Sequence, residues 1–364
     1  MAQCGSCGAS IEDDVKTCPY CGAENSVADA PGEAGSQAVE ITDEGKLQPK
    51  GEGGSGFGRK MKTFSCNSCG AKVSYDPALK TLACAYCGST YVIEQEQSEE
   101  TERPSRIIPF VHEQHKAEEL FWKWLGKGFF RPRDLTKKSA ISEIRGLYMP
   151  FFAFDSDADS SWSADAGYHY YEKEPYTVKD DKGNTRTEYR DVQKTRWQPA
   201  GGRHDAHYED WLVSASKGLD QEWVRKIVPF HMNDAKSYNS DYLAGFAAEN
   251  PSIGPDVGRQ TAKGEIQHQE KQECAAMVPG DTNRNLRVRS VFRNWHYDQV
   301  MLPLWISAYR YKGEVYRFLV NGQTGEVQGN APFSWLKLVM LILGIAGAAG
   351  AVALLYSLFG GQAG

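Results

Sequence analysis

The pattern of apolar and polar positions ends in one long apolar segment. Residues 338–359 are 22 consecutive positions without a charged side chain. At a rise of about 1.5 Å per residue, a helix of this length extends about 33 Å, enough to cross a hydrocarbon core of about 30 Å. Trp335 and Lys337 precede it, as is common at a membrane interface. The pattern therefore predicts a transmembrane helix at 335–360. A buried core helix is the alternative, but core helices usually keep a polar face.

The two ends of the chain predict an orientation. The first ten residues contain neither a basic start nor an apolar run, so they do not resemble a signal peptide. Lys337 lies on the N-terminal side of the apolar segment, and flanking positive charge favours the cytoplasmic side. We therefore expect a tail-anchored, single-pass protein of the cell membrane with its N-terminal bulk in the cytoplasm. Small residues four apart in the segment would allow self-association of the helix.

The middle of the chain predicts an α+β domain at 105–333 with an internal duplication. The string RIIPF at 106–110 recurs as KIVPF at 226–230, and apolar residues at helical spacing follow each copy. A second apolar string containing proline comes later in each half. The expected halves are 106–225 and 226–333. Chance similarity is the alternative, because the two prolines are 41 residues apart in the first half and 74 in the second.

Alternating residues predict two hairpins in this domain. Strands at 306–311 and 314–320 flank Lys312-Gly313, and a further short strand should follow 321–325. A longer and more polar hairpin is expected from 168–178 and 185–197.

Cysteine spacing supplies the candidate chemistry. Eight of the nine cysteines form four Cys-x-x-Cys pairs, and a glycine follows the second cysteine of each pair. Two pairs place four thiolates around one Zn²⁺ in a closed tetrahedral site. We therefore predict two structural zinc ions in two β-rich ribbons. The predicted ligands are Cys4, Cys7, Cys18 and Cys21 in the first ribbon, and Cys66, Cys69, Cys84 and Cys87 in the second. A thioredoxin-like redox pair is the alternative, but the pairs come as matched doublets without a βαβ pattern.

Composition places linkers around the second ribbon. The chain has a net charge of −6, which gives no general attraction to nucleic acid. Residues 59–93 carry five basic side chains and one acidic side chain, whereas 94–102 carry five glutamates. The predicted organisation is a short ribbon (1–24), a flexible linker (25–60), a second ribbon (61–93), an acidic linker (94–104), the α+β domain (105–333) and the transmembrane anchor (335–360).

Other motifs are weak. No phosphate-binding G-x-x-x-x-G-K-[ST] string occurs in the sequence. His204 and His207 are three residues apart beside two glycines, which favours a solvated loop over a metal site. Cys274 has no histidine or aspartate near it in the sequence that would activate it, so we expect a free thiol.

The second ribbon, the IIPF string, the Phe121-x-x-Trp124-Leu125 helix and residues 146–155 together resemble a known family over about 61–333. They are similar to bacterial membrane-anchored TFIIB-type zinc-ribbon proteins, often labelled primosomal (replication-factor-Y) helicase-like. The missing phosphate-binding loop argues against a helicase activity. The resemblance implies association with phage-shock-type and SPFH-type membrane-stress systems. The additional ribbon at Cys4–Cys21 departs from the usual pattern of that family.

Three functions follow as hypotheses. The first is a non-enzymatic adaptor whose ribbons and middle domain bind cytosolic or peripheral membrane proteins at the inner face of the membrane. The second, less favoured, is a membrane-tethered protein that binds nucleic acid through its ribbons. The third is an enzyme with a pocket in the middle domain, which would need converging polar groups.

Overall fold

The structure is a computed structural model that describes part of the chain. The described residues are 2–3, 10–11, 39–43, 45–50, 56–58, 61–67, 72–75, 84, 86, 92–95, 102–132, 134–138, 140–141, 144–179, 185–217 and 221–359. Backbone contacts divide the chain into two compact units. Unit 1 comprises 1–39, 163–200 and 279–287, and unit 2 comprises 40–162, 201–278 and 288–364.

Strands dominate the described residues. They are β1 (Ala2–Gln3), β2 (Ser10–Ile11), β3 (Val39–Asp43), β4 (Gln48–Pro49), β5 (Lys62–Cys66), β6 (Lys72–Tyr75), β7 (Val92–Gln95), β8 (Arg106–Ile107), β9 (Ala140–Ile141), β10 (Arg145–Lys179), β11 (Thr185–Ser214), β12 (Lys236–Ser237), β13 (Ala247–Glu249), β14 (Thr282–Tyr311), β15 (Glu314–Asn321) and β16 (Val327–Gly329). The helices are α1 (Gln114–Gly126), α2 (Leu135–Lys138), α3 (Gln221–Ile227), α4 (Pro255–Met277) and α5 (Trp335–Phe359).

Pairing joins most of these strands into one mixed sheet. Its main path runs β12-β8-β14-β10-β13-β6-β5-β7. β8 pairs in parallel with β14, and β10 pairs in parallel with β13. Within unit 2 the path ends in the three strands of the second ribbon, because β6 pairs antiparallel with β13 and β5 lies between β6 and β7.

The predicted fold class, two ribbons with a duplicated α+β domain and a C-terminal membrane helix, is wrong, because the described chain is mostly β-sheet. The two halves do not repeat each other. Arg106–Ile107 is a strand, whereas the equivalent Lys226-Ile227 ends helix α3. Helix α1 follows the first copy, but the corresponding stretch of the second copy contains a 3-10 turn of four residues, Ser240–Leu243. Short apolar strings containing proline are compatible with either structure, so their similarity did not specify a common fold.

The membrane assignment is also corrected. Among the residues that the structure describes, no helix is long and apolar enough to cross a membrane. This finding contradicts the predicted transmembrane segment at 335–360 and the predicted localisation as a single-pass protein of the cell membrane.

The predicted helix around Phe121 is confirmed. Ala117, Phe121 and Leu125 are buried at four-residue spacing on one face of α1. Phe121 stacks on Phe318 of β15 with ring centroids 3.8 Å apart. This face therefore packs α1 onto the sheet of unit 2.

The first predicted hairpin is confirmed. β14 and β15 pair antiparallel up to Tyr311 and Glu314, and the two residues between them have positive φ angles, 52° at Lys312 and 90° at Gly313. Two such residues form the tight turn whose twist matches a hairpin. The following strand, β16, pairs with β15.

The longer predicted hairpin also forms, since β11 pairs with β10. Its distal part, 163–179 and 185–200, belongs to unit 1. There the Arg284 guanidinium lies 4.1 Å from the centre of the Trp197 ring. The amide of Asp281 donates to the carbonyl of Gly167 at 2.8 Å, and the Asp281 carboxylate accepts from the His169 amide at 2.7 Å.

Candidate metal centres

The second ribbon places two of its predicted ligands in the main core. Cys66 is the last residue of β5, and Cys84 lies in the segment after β6. Both side chains are 3% exposed and belong to the same apolar cluster, together with Phe64 and Tyr75. A buried thiol at the end of β5 and another in the segment after β6 fit a structural zinc site. A zinc ion bound to both thiolates would cross-link the end of β5 to the segment after β6.

The remaining predicted ligands lie outside the described residues. They are Cys4, Cys7, Cys18 and Cys21 of the first ribbon and Cys69 and Cys87 of the second.

A buried carboxylate connects the second ribbon to β13. Glu249, 1% exposed, accepts a hydrogen bond from Ser216 Oγ at 2.6 Å and another from the hydroxyl of Tyr86. Tyr86 lies between the predicted ligands Cys84 and Cys87. Burial raises the pKa of Glu249 to about 7, and the two hydrogen bonds partly offset this rise. The ribbon is therefore tied to the sheet by strand pairing and by a buried polar contact.

A second cluster of ligand-type side chains lies deeper in unit 2. Atoms of His204, Glu270 and Cys274 that can bind a metal lie within 4.8 Å of one another. Glu270 and Cys274 are one helical turn apart on the buried face of α4, and both are 0% exposed. His204 comes from β11 and is partly exposed.

Hydroxyl groups surround the carboxylate of this cluster. Glu270 Oε2 accepts from Ser160 Oγ at 2.5 Å and lies 3.1 Å from His204 Nδ1. Glu270 Oε1 accepts from the Tyr208 hydroxyl at 2.6 Å. Ser160 Oγ lies 2.7 Å from Ser290 Oγ, which extends the network across the sheet. These contacts hold the carboxylate in one orientation.

The predicted loop at His204 and His207 was wrong, whereas the free thiol expected at Cys274 is confirmed. His204 and His207 lie on β11 and not in a loop, and His207 is directed to Asp157 at 2.6 Å. Cys274 has no histidine near it in sequence, but the fold places His204 beside it. The available signal was Glu270-x-x-x-Cys274, a pair of ligand types one turn apart. The low hydropathy of α4 concealed the buried face on which they lie.

The thiol of Cys274 does not suit nucleophilic catalysis. Burial, with further contributions from Glu270 and Glu273, raises its pKa to about 11. A catalytic cysteine needs the opposite shift, because the thiolate is the nucleophile.

Comparison with known proteins supports the first ribbon and identifies a family. Residues 3–25 match the zinc-ribbon domain family. "Uncharacterized protein YdjG" of Bacillus subtilis (strain 168) is 30% identical over 250 residues, which cover 67% of this chain and 68% of the relative. The chain belongs to the family of YdjG. No solved structure matches the chain. The N-terminal ribbon makes this a zinc-binding protein.

Proposed function

We propose that this protein is a non-enzymatic zinc-ribbon adaptor that binds other proteins. One described feature carries the proposal, an arm formed by the distal part of the long hairpin, 163–179 and 185–200. Four of its tyrosines are 38–70% exposed, namely Tyr170, Tyr171, Tyr176 and Tyr189. Tyrosine is enriched in protein interfaces, where its ring supplies contact area and its hydroxyl a hydrogen bond.

The charges of the arm favour a protein partner over nucleic acid. The arm, 163–179 and 185–200, contains five acidic and six basic side chains. Several are already paired, as where Lys194 lies 2.8 Å from Glu172 and 2.9 Å from Glu174. A nucleic-acid surface needs an excess of basic groups to neutralise phosphates. The phage-shock-type and SPFH-type proteins implied by the TFIIB-type resemblance are the first partners to test.

The ribbons suit a structural role in such an adaptor. Four-thiolate sites are closed and leave no position for a substrate or an activated water. The zinc ions would hold the ribbons in shape, and the protein surfaces would select the partner.

The arm is tested by affinity purification of the tagged, zinc-loaded full chain with and without the substitutions Tyr171→Ala and Tyr189→Ala. We expect a protein recovered in comparable molar amount with the unmodified chain and lost with the double variant. The matched control is Val111→Ala with Phe129→Ala, since these side chains are 65% and 67% exposed and lie outside the arm. Equal recovery with all three baits, or no stoichiometric protein with any of them, would contradict the proposal.

A further inference from the structure

The side chains of His204, Glu270 and Cys274 supply three different donor atoms at one point. They offer an imidazole nitrogen, a carboxylate oxygen and a sulfur within 4.8 Å of one another. Two of the three come from consecutive turns of a single helix, which fixes their spacing without any loop. The third comes from β11, a paired strand of the same unit.

We propose that these three residues form a zinc site separate from both ribbons, with three protein ligands and one open position. Nitrogen, oxygen and thiolate donors are the ligands that Zn²⁺ takes in proteins, at about 2.0–2.3 Å. A tetrahedral site of that size sets its ligands about 3.5 Å apart. The described atoms are close enough to reach that geometry by small side-chain rotations.

The buried charge of Glu270 gives an independent reason to expect a metal ion at this site. The Glu270 carboxylate is 0% exposed, and its described partners are a histidine and two hydroxyls, none of which carries a permanent charge. A buried carboxylate is costly unless an opposite charge, such as that of a metal ion, is paired with it. Zn²⁺ bound by this carboxylate and by the Cys274 thiolate forms an electrically neutral centre. The proton leaves the Cys274 thiol for water when the metal binds.

The surroundings of Glu270 have the arrangement that metal ligands require. Tyr208 and Ser160 donate to its two oxygens and orient the carboxylate, and Ser290 in turn contacts Ser160. Such partners behind the ligands are a general feature of metal sites because they fix ligand direction. His207, by contrast, is more exposed and contacts Asp157 on the surface.

Access to the metal would come from the side of His204. Its side chain is 23% exposed, whereas Glu270 is fully buried. The open fourth position would therefore lie toward solvent, where a water or a small anionic or thiol ligand could bind. Closed ribbon sites have no such position.

The first test measures zinc per chain in the purified full-length protein and in Cys274→Ser, Glu270→Gln and His204→Asn variants. We expect Cys274→Ser to lose one zinc per chain while the ribbon cysteines stay intact, and the other two to bind that zinc at least tenfold more weakly in a chelator competition. His207→Asn is the matched control, on the same strand three residues away, and should keep the full content. Cobalt substitution provides a second readout, because the thiolate-to-cobalt band of this site should disappear with Cys274→Ser.

The second test needs no substitution, so a variant that fails to fold does not compromise it. Crystals of the zinc-loaded, unmodified chain should show anomalous scattering at the zinc edge between these three side chains. Zinc-loaded crystals without that peak, or equal zinc content in folded Cys274→Ser and unmodified protein, would show a hydrogen-bonded histidine–glutamate pair only and overturn the proposal. Neither outcome depends on whether the arm binds a partner.

Discussion

At the scale of single residues, buried carboxylates are the most informative groups in this protein. Glu249 and Glu270 are both almost completely buried, and each accepts hydrogen bonds from hydroxyl groups. Fully buried glutamates are rare because the charged form loses its hydration. Burial of each carboxylate therefore costs free energy that the surrounding contacts must offset.

Glu249 should make stability dependent on pH. Its pKa is raised to about 7 in the folded protein, from about 4.5 in the unfolded chain, so the folded state binds the proton more tightly. The resulting stabilisation is complete below about pH 4.5 and is lost as the pH rises to about 7. The shift corresponds to a loss of about 3 kcal/mol. Glu249→Gln should remove this pH dependence of stability.

The measurement is urea unfolding of both proteins at pH 5.5 and pH 8. The variant should gain stability relative to the unmodified protein as the pH rises. Glu314→Gln, at an exposed position of β15, is the control and should leave the pH profile unchanged. Parallel profiles for Glu249→Gln and the unmodified protein would show that Glu249 does not titrate in this range.

Substitution of two glycines by alanine should change the free energy of unfolding in opposite directions. Gly313 has φ of +90° and Gly264 lies inside α4, and an added Cβ would meet no atom within 4 Å at either position. Space is therefore not a factor. We expect Gly313→Ala to lower the free energy of unfolding by about 1 kcal/mol through backbone strain. Gly264→Ala should raise it by about 0.5–1 kcal/mol because alanine favours the helix. Denaturant unfolding measures both, and a stabilising Gly313→Ala would contradict the turn geometry.

At the scale of elements, the second ribbon is continuous with the main sheet. Ala247, Ala248 and Glu249 of β13 pair with residues of β6. The side chains of Thr63 and Ser74 are hydrogen-bonded at 2.8 Å inside the ribbon, and both are buried. The ribbon thus shares a core with the strands of unit 2, although its cysteine spacing alone indicates a self-contained module.

Loss of zinc from this ribbon should therefore destabilise more than the ribbon. If the ribbon were a self-contained module, a substitution of Cys84 would unfold 61–93 and leave the middle domain intact. With the shared core, Cys84→Ser should release one zinc and lower the thermal midpoint of the main transition by about 10 °C or more, the equivalent of several kcal/mol for a unit of this size. Calorimetry measures the shift.

Asn67→Ala is the control for that experiment, since Asn67 is exposed and adjacent to Cys66. It should change neither the zinc content nor the midpoint. A main transition that is unchanged in Cys84→Ser would show that the ribbon and the sheet unfold independently.

At the scale of the whole molecule, the net charge restricts the classes of partner that the protein attracts. The net charge is −6 and the sequence pI is about 5.8, and the mildly basic second ribbon has acidic segments on both sides. Long-range attraction to nucleic acid is therefore weak. The adaptor proposal depends on surfaces that contact proteins, and the described arm offers tyrosines with balanced charge.

The full chain should consequently bind DNA weakly. In a fluorescence anisotropy titration at about 50 mM salt, we expect the zinc-loaded protein to cause no measurable change in the anisotropy of labelled duplex DNA. A basic protein of the same size serves as a positive control. Tight binding that weakens steeply as salt is added would show release of counterions from phosphates, and would favour the nucleic-acid hypothesis.

Features that depend on a few neighbouring residues can be inferred from the amino-acid sequence alone. Cysteines at Cys-x-x-Cys spacing indicate a zinc ribbon, and the family match at 3–25 supports this for the first one. Lys312-Gly313 specified a tight turn, and the apolar spacing around Phe121 specified α1. In each case the residues responsible lie close together in the sequence, so a sequence pattern can reveal the feature.

The contacts between distant segments, in contrast, are known only once the fold is known. Pairing of β6 with β13 joins residues about 170 positions apart, and the contact between His204 and Glu270 spans 66. Such contacts depend on sheet register and on the direction of a buried helix face, which no short motif encodes. The apparent duplication was wrong for a related reason, because two similar short strings take different structures in different surroundings.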